Sequence, residues 1–232
     1  MPRGRPSPRQ GTPVHWPLQF DVSNTNIKLV PHKRVARVYR MGSRAEAAEQ
    51  TATRIKTAAI DVFGSRPFAD VTLQAIAEAA GVTLQTVLRR FGSKEQLFRA
   101  ASEADADAVF RKREVPPQAD VAAIVRTLVA SYEEMGEMVW RGVSQEDQFP
   151  LIKELFDMAR SRHRRWIEAN FADAIGAARG AERERRTLLL FAATDFYIWK
   201  LYRRDLDKSR DFTTDRMVDL VRAAIRSFRR ES

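Results

Sequence analysis

The chain is expected to be all-α, with an N-terminal helix-turn-helix domain of three helices followed by a larger helical domain. Three observations predict this. Apolar residues recur at the 3.6-residue spacing of a buried helix face. Ser stands just ahead of two of these stripes, with Glu or Gln three residues later, as in a capping box. Glycines and prolines fall between the stripes, where helices must end. The 232 residues, 44% of them hydrophobic, are enough for one large or two small domains with real cores.

Residues 1–42 hold six of the ten prolines and keep neither helical nor strand periodicity. They are expected to form a disordered arm with a short strand-like piece near Ile27 to Val30. Order is expected from Ser43, which forms an S-x-x-E capping box with Glu46. Ile55, Ala58, Ala59, Val62 and Phe63 then line one helix face, and Gly64 is expected to end that helix. Thr72 can cap a short helix burying Leu73, Ile76, Ala77 and Ala80. Gly81 supplies the turn to another short helix starting near Thr83. Ser93 and Gln96 form a second capping box, opening a helix through Leu97 and Phe98 to about Phe110, before "VPP" stops it.

From Gln118 onward helices are expected near 118–141, 149–175, 182–205 and 214–229. Gly142, then Gly176 and Gly180, then "DLDKSRDFT" separate them. The third is apolar around its whole circumference from Leu188 to Tyr202, so more than one neighbour must bury it. The last carries a narrower stripe of Met217, Val218, Val221, Ala224, Ile225 and Phe228.

Composition excludes several classes of function. Cysteine is absent, which removes disulfide and thiolate-metal chemistry and suits a reducing cytoplasm. The run from Leu188 to Tyr202 carries Asp195 and Lys200 and falls short of the roughly 20 residues of a membrane span; we expect a soluble cytoplasmic protein with no membrane partner. With three histidines and no G-x-S-x-G, H-E-x-x-H or glycine-rich phosphate loop, neither an enzyme nor a metal or cofactor site is expected. His163, among the arginines of "RSRHRRW", is expected on the surface, and Glu154 with Asp157 on a solvated helix face.

The net charge of +10 is unevenly placed, because residues 1–43 hold eight Lys/Arg against one acid. Such an arm suits a polyanion, although an acidic membrane surface attracts it too. Its "PRGRP", Pro2 to Pro6, resembles the core of an AT-hook, whose Arg3 and Arg5 would enter a narrow minor groove. A nonspecific phosphate-binding tail is the second reading of the arm. The third is an arm without a role, with translation starting at Met41.

Between residues 72 and 91, Leu73, Ile76, Ala77, Ala80, Val82, Val87 and Phe91 can close a small core. Thr83, Leu84, Gln85, Thr86 and Arg90 are left pointing outward, Leu84 either toward DNA or into that core. A short helix fits the major groove of B-DNA, and its N-terminal residues reach base edges. The stretch "TLQAIAEAAGVTLQTVLRRFGSKEQLF" resembles the DNA-binding domain of the tetracycline-repressor (TetR) family over about residues 44 to 110. Arg89 is read as a solvated flank.

The resemblance implies Thr72 and Lys94 as phosphate contacts, Gln85 and Thr86 as base readers, and Gln74 as a reader of a neighbouring base. Thr83, Leu84, Leu88 and Arg90 complete the expected DNA face. Three positions depart from the family pattern: Gln85 stands where a small residue is usual, Leu88 where tyrosine is, and Arg90 where histidine or tyrosine is. The operator is therefore this chain's own.

The resemblance further implies residues 43–114 as a DNA-binding domain and 115–232 as an effector-binding and dimerisation domain. The protein is then a homodimeric repressor on a palindromic double-stranded operator, released by a small apolar effector. Candidate pocket residues are Trp140, Trp166, Phe171 and Phe191, with Thr194 and Asp195 as polar groups. Candidate dimer contacts are Tyr197, Leu201, Met217, Val221, Ala224 and Phe228. The alternative is a helical assembly protein whose basic arm binds acidic partners or a membrane surface.

Overall fold

Caps and apolar stripes set the elements of the computed structural model, which describes residues 33–116 and 119–228, with side chains from residue 45 onward. Among the described residues, contacts group those from Ala45 onward as one compact unit. The described residues form ten α-helices: α1 Lys33–Ser65, α2 Leu73–Ala79, α3 Leu84–Phe91, α4 Lys94–Lys112, α5 Val121–Val143, α6 Pro150–Asn170, α7 Ala172–Ile175, α8 Gly180–Thr194, α9 Phe196–Lys200 and α10 Arg210–Phe228. None is long and apolar enough to cross a membrane.

The "PRGRP" motif and the strand-like piece lie outside the described residues. From Lys33 the backbone is already helical, ten residues ahead of the expected start at Ser43. Residues 33–42 contain no proline and mostly good helix formers, so the helix nucleated downstream extends back through them. Gly64 does not end α1, which runs to Ser65. Its carbonyl accepts a hydrogen bond from Arg141 Nε (2.9 Å), so α5 satisfies one of the open carbonyls at the end of α1. A Cβ at Gly64 would lie 3.3 Å from Met138 Cγ, and glycine lets the two helices approach.

Thr72, Thr83 and Ser93 cap α2, α3 and α4, their hydroxyls accepting from the backbone N–H of Ala75, Thr86 and Gln96. These caps let three helices start within about twenty residues without stranded donors. Ile55, Ala59, Ile76, Val87 and Leu97 are fully enclosed in the first core cluster, to which α6 adds Ile152. A second cluster gathers residues of α5, α6, α8, α9 and α10, including Leu128, Ile167, Leu190, Trp199, Met217 and Val221.

The expected helix 182–205 is interrupted. Asp195 is extended and its carboxylate accepts from Tyr197 N (2.9 Å), so it caps a new helix, α9, which passes into a π-helical turn at Leu201–Asp205. Aspartate competes for backbone donors in this way, and the apolar run hid the signal. The run is also buried on one side only: Leu190, Ala193, Phe196 and Trp199 are enclosed, while Leu188 is 51% and Tyr197 49% exposed.

His163 is buried, contrary to the expectation of a surface histidine. It continues the α6 stripe Ile152, Phe156, Ala159, Trp166 and Ile167, stacks on Trp166 (5.5 Å) and shares a hydrogen bond between Nε2 and Thr194 Oγ1 (3.0 Å). The neighbouring arginines misled the sequence reading, since they leave the helix on its other faces. Glu154 and Asp157 are exposed as expected, paired with Arg99 and with Lys153 and Arg160.

Two outcomes follow from this core. Gly136→Ala would gain about 1 kcal/mol of helix propensity, but its Cβ would sit 2.1 Å from Trp199 Cη2, and such overpacking costs about 1–3 kcal/mol. The clash dominates because Trp199 is pinned by its Nε1–H to Glu133 (2.8 Å), so the urea midpoint should fall. Burial, reinforced by the Arg113 charge, pushes the His163 pKa from 6.5 down to about 3. The unfolded chain therefore takes up a proton between about pH 6.5 and 3 that the folded chain refuses, and stability rises with pH across that window. By pH 5 His163 should have cost about 2 kcal/mol; His163→Gln should flatten the dependence of Tm on pH between 7 and 5.

Candidate nucleic-acid interface

Val87, fully buried, anchors α3 to the first core, and everything else on this helix faces partly or wholly outward. Gln85, Leu88, Arg89 and Arg90 are exposed, and Leu84 and Thr86 are half-buried. Leu84 stays outside the core cluster, which leaves its methyl groups on the outer face. Gly81, with φ +64°, makes the turn between α2 and α3 in a conformation that side chains disfavour.

Hydrogen bonding sorts these residues. The hydroxyls of Thr83 and Thr86 pair with each other (2.9 Å) while Thr83 also holds Thr86 N–H. Gln74 donates to Glu78 Oε1 (2.7 Å) along α2. Among the described residues Gln85 and Arg90 have no side-chain partner, so the amide at the start of α3 presents both a donor and an acceptor to whatever lies opposite. Arg89 and Arg90 place two cations in the last turn of α3, where the helix dipole also favours them.

Thr72 is exposed and its oxygen is used by the cap, leaving its O–H as a donor. Lys94 is more constrained. Its ammonium donates to Phe68 O (2.9 Å) and lies 4.5 Å from the centre of the Phe68 ring. It is therefore a brace between α4 and the short 3₁₀ turn Phe68–Asp70, with one donor left over.

That turn ties α4 to the segment that follows α5. Gln145 Oε1, just past α5, accepts from Phe68 N–H (2.9 Å). The Phe68 ring lies within 5.1–5.6 Å of those of Phe63, Phe98 and Phe149. Arg99 makes a bidentate pair with Glu154 across α4 and α6. Any movement of α5 or α6 thus reaches α4, which packs directly on α3.

Two cavities lie behind this joint. The larger of these, about 450 Å³, is lined by α1, α4, α5, α6 and the Phe68 turn, including Phe63, Phe68, Phe98, Asp105, Met138 and Phe156. The smaller, about 140 Å³, is lined by Arg113, Tyr132, His163, Phe191, Asp195 and Phe196 among others. Of the expected pocket residues, Phe191 and Asp195 line the smaller cavity. Trp166, Phe171 and Thr194 are core: Trp166 donates to Arg113 O (3.2 Å), and Thr194 donates to Leu190 O (2.7 Å). Trp140 is 41% exposed beneath the Lys200 ammonium. Aromatic density pointed to the packed part of the domain, whereas the open space is walled by methionine and phenylalanine side chains of α4, α5 and α6. Arg113 was missed altogether; its position at the end of a basic helix terminus, "RKRE", disguised it.

The expected dimer contacts divide as well. Met217, Val221 and Phe228 are buried in the chain's own core and Ala224 is half-buried, so that stripe of α10 is already covered by α5 and α8. Tyr197 and Leu201 are exposed. The outward surface of α8 and α10 instead carries Leu188, Leu189, Ala192, Leu220 and Ala223. Among the described residues no group of three His, Cys, Asp or Glu could hold a metal ion.

Comparison with known proteins agrees with this geometry. Residues 55–101 match the family described as bacterial regulatory proteins, tetR family. The HTH-type transcriptional regulatory protein RaaS of Mycobacterium tuberculosis is 47% identical over 64 residues, 27% of this chain; the match spans 30% of that relative's length. Among solved structures, a tetR-family transcriptional regulator from Streptomyces coelicolor superposes with a TM-score of 0.61 at 18% identity, covering 78% of this chain and 88% of the other. A transcriptional regulator from Rhodococcus sp. gives 0.60 at 16% identity, covering 76% and 96%. These structures are similar in fold.

Proposed function

Because the chain carries a tetR-family DNA-binding domain on a tetR-like all-helical fold, we propose that it is a homodimeric transcriptional repressor, cytoplasmic, released from its operator by a small-molecule effector. Residues 43–114 read DNA in this account, and residues 115–232 hold the effector and the partner copy. The observation that carries the reading is the outer face of α3, where Gln85 stands without a partner among the described residues on a helix fixed by Thr83, Gly81 and Val87. Gln85 can pair bidentately with adenine, Leu84 can meet a thymine methyl, and Arg90 can bind phosphate in place of the missing tyrosine hydroxyl. Thr72 and the spare donor of Lys94 hold register on the backbone.

Release follows from the Phe68 joint. A ligand in the larger cavity touches Phe68, Phe98 and Gln145, the groups that fix α4 against the second domain. It weakens operator binding by as much as it prefers the arrangement in which the two α3 helices miss successive major grooves, about 34 Å apart. Self-association is assigned to α8 and α10, whose exposed leucines and alanines would form a four-helix contact about a two-fold axis.

Selection from a random duplex pool should return a two-fold symmetric site. On that site Gln85→Ala should cost about 1–3 kcal/mol and relax one base position, with random-sequence binding untouched. Lys94→Ala should weaken all sequences alike and lower the salt slope by about one. Equal losses on selected and random DNA for Gln85→Ala would remove it as a reader.

Light scattering tests the interface. Leu188→Asp with Leu220→Asp should yield a folded monomer, because both positions are exposed within one copy. Met217→Asp should instead unfold the chain by burying an unpaired charge. A folded wild-type monomer at micromolar concentration would refute the dimer.

A further inference from the structure

Arg113 is 5% exposed, yet among the described residues no carboxylate meets it. Its Nε–H donates to Ser131 Oγ (2.8 Å) and one Nη2–H leans on Met135 Sδ (3.8 Å). Nη1 has no partner. The rings of Phe110 and Tyr132, at 5.1 and 5.0 Å, give the cation some shelter. A guanidinium offers five donors, and burying one without an anion is costly enough that such groups are normally paired.

Other features mark the same spot. Arg113 lines the smaller cavity, and so does His163, whose Nδ1 is buried without a hydrogen-bond partner. The other charged groups on that cavity are engaged elsewhere: Asp195 caps α9, and Arg160 is paired with Glu146 and Asp157. The smaller cavity shares Ala106, Met135, Val139, Phe156 and Ala159 as a wall with the larger one. Met135 is unbranched and repacks at low cost, so the wall can part for a flexible chain.

We propose that the effector is an amphiphilic carboxylate, with its head group on Arg113 in the smaller cavity and its aliphatic tail running past Met135 and Phe156 into the larger one. This rests on the reading of the second domain as effector-binding, and it adds the ligand's chemical class. A carboxylate accepts the two Nη donors and supplies the missing charge, which is the geometry for which arginine is suited. The tail ends against Phe98 and Phe68, so ligand length is transmitted to the joint that positions α4.

Calorimetric titration of the full chain with decanoate, decanol and decylammonium at pH 7 tests this. Decanoate should bind most tightly, and Arg113→Met should lose at least about ten-fold of that affinity while leaving decanol binding as it was. Removing an unpaired buried cation in favour of an apolar side chain of similar length should leave the fold intact, which circular dichroism verifies. Arg113→Lys, which keeps the charge without the fork, should retain an intermediate affinity. Tightest binding by decylammonium, undiminished decanoate binding in Arg113→Met, or no binding of any of the three would overturn the proposal. Operator affinity measured beside it separates the two readings. Decanoate binding at Arg113 with an unchanged operator Kd keeps this site and defeats the effector reading. Operator release by another compound, with decanoate inert, does the reverse.

Discussion

The structure depends on one short turn. Phe68 is held from both sides: its N–H is held by Gln145 from the end of α5, its carbonyl by Lys94 from the start of α4, and its ring by Phe63, Phe98 and Phe149. Both backbone groups of a buried residue must be satisfied, and here the two partners come from the segment after α5 and the start of α4. The turn therefore cannot be rebuilt on one side without disturbing the other. Arg141 on the Gly64 carbonyl and Arg99 on Glu154 repeat the same connection at the ends of α1 and α4.

This arrangement makes α3 a dependent element. α3 is eight residues long, too short to be stable alone, and has one fully buried side chain, Val87. Its orientation is borrowed from α2 and α4, with which it packs. α4 in turn runs from the Lys94 brace to Arg113, beside both cavities. A change at the far end of α4 is carried along a rigid helix rather than dissipated, because packed helices shift as units.

The cavities are placed where the two core clusters meet. Residues of α1, α4, α5 and α6 line the larger of them, with Met135, Met138 and Met158 among its walls. Deeper in the second cluster the large aromatics lock together: Tyr132, Phe196 and Trp199 lie within 6.0 Å of one another, and Tyr132 donates to Thr194 O. Rigid core and adaptable rim thus sit side by side, with the buried Arg113 and His163 at their boundary.

Local chemistry alone determined the helical class, the three hydroxyl caps at Thr72, Thr83 and Ser93, the Gly81 turn and the inward set Ile55, Ile76, Val87 and Leu97. Each is a relation between residues a few positions apart, so spacing carries it. Gln85 was legible as outward-facing for the same reason. Tertiary structure decided which of two plausible partners a residue meets. Lys94 was readable as a cation near a helix start, but only the fold brings Phe68 O to it. His163 sits in an apolar stripe among arginines, and burial against Trp166 settled the conflict. The all-round apolar run from Leu188 was broken by Asp195 once its carboxylate took the Tyr197 N–H. Met217, Val221 and Phe228 went to the chain's own core because α5 and α8 reach that stripe first. Arg113 gave no sign in the sequence, since an unpaired buried charge is defined by what is absent from its surroundings, and those surroundings come from helices distant along the chain.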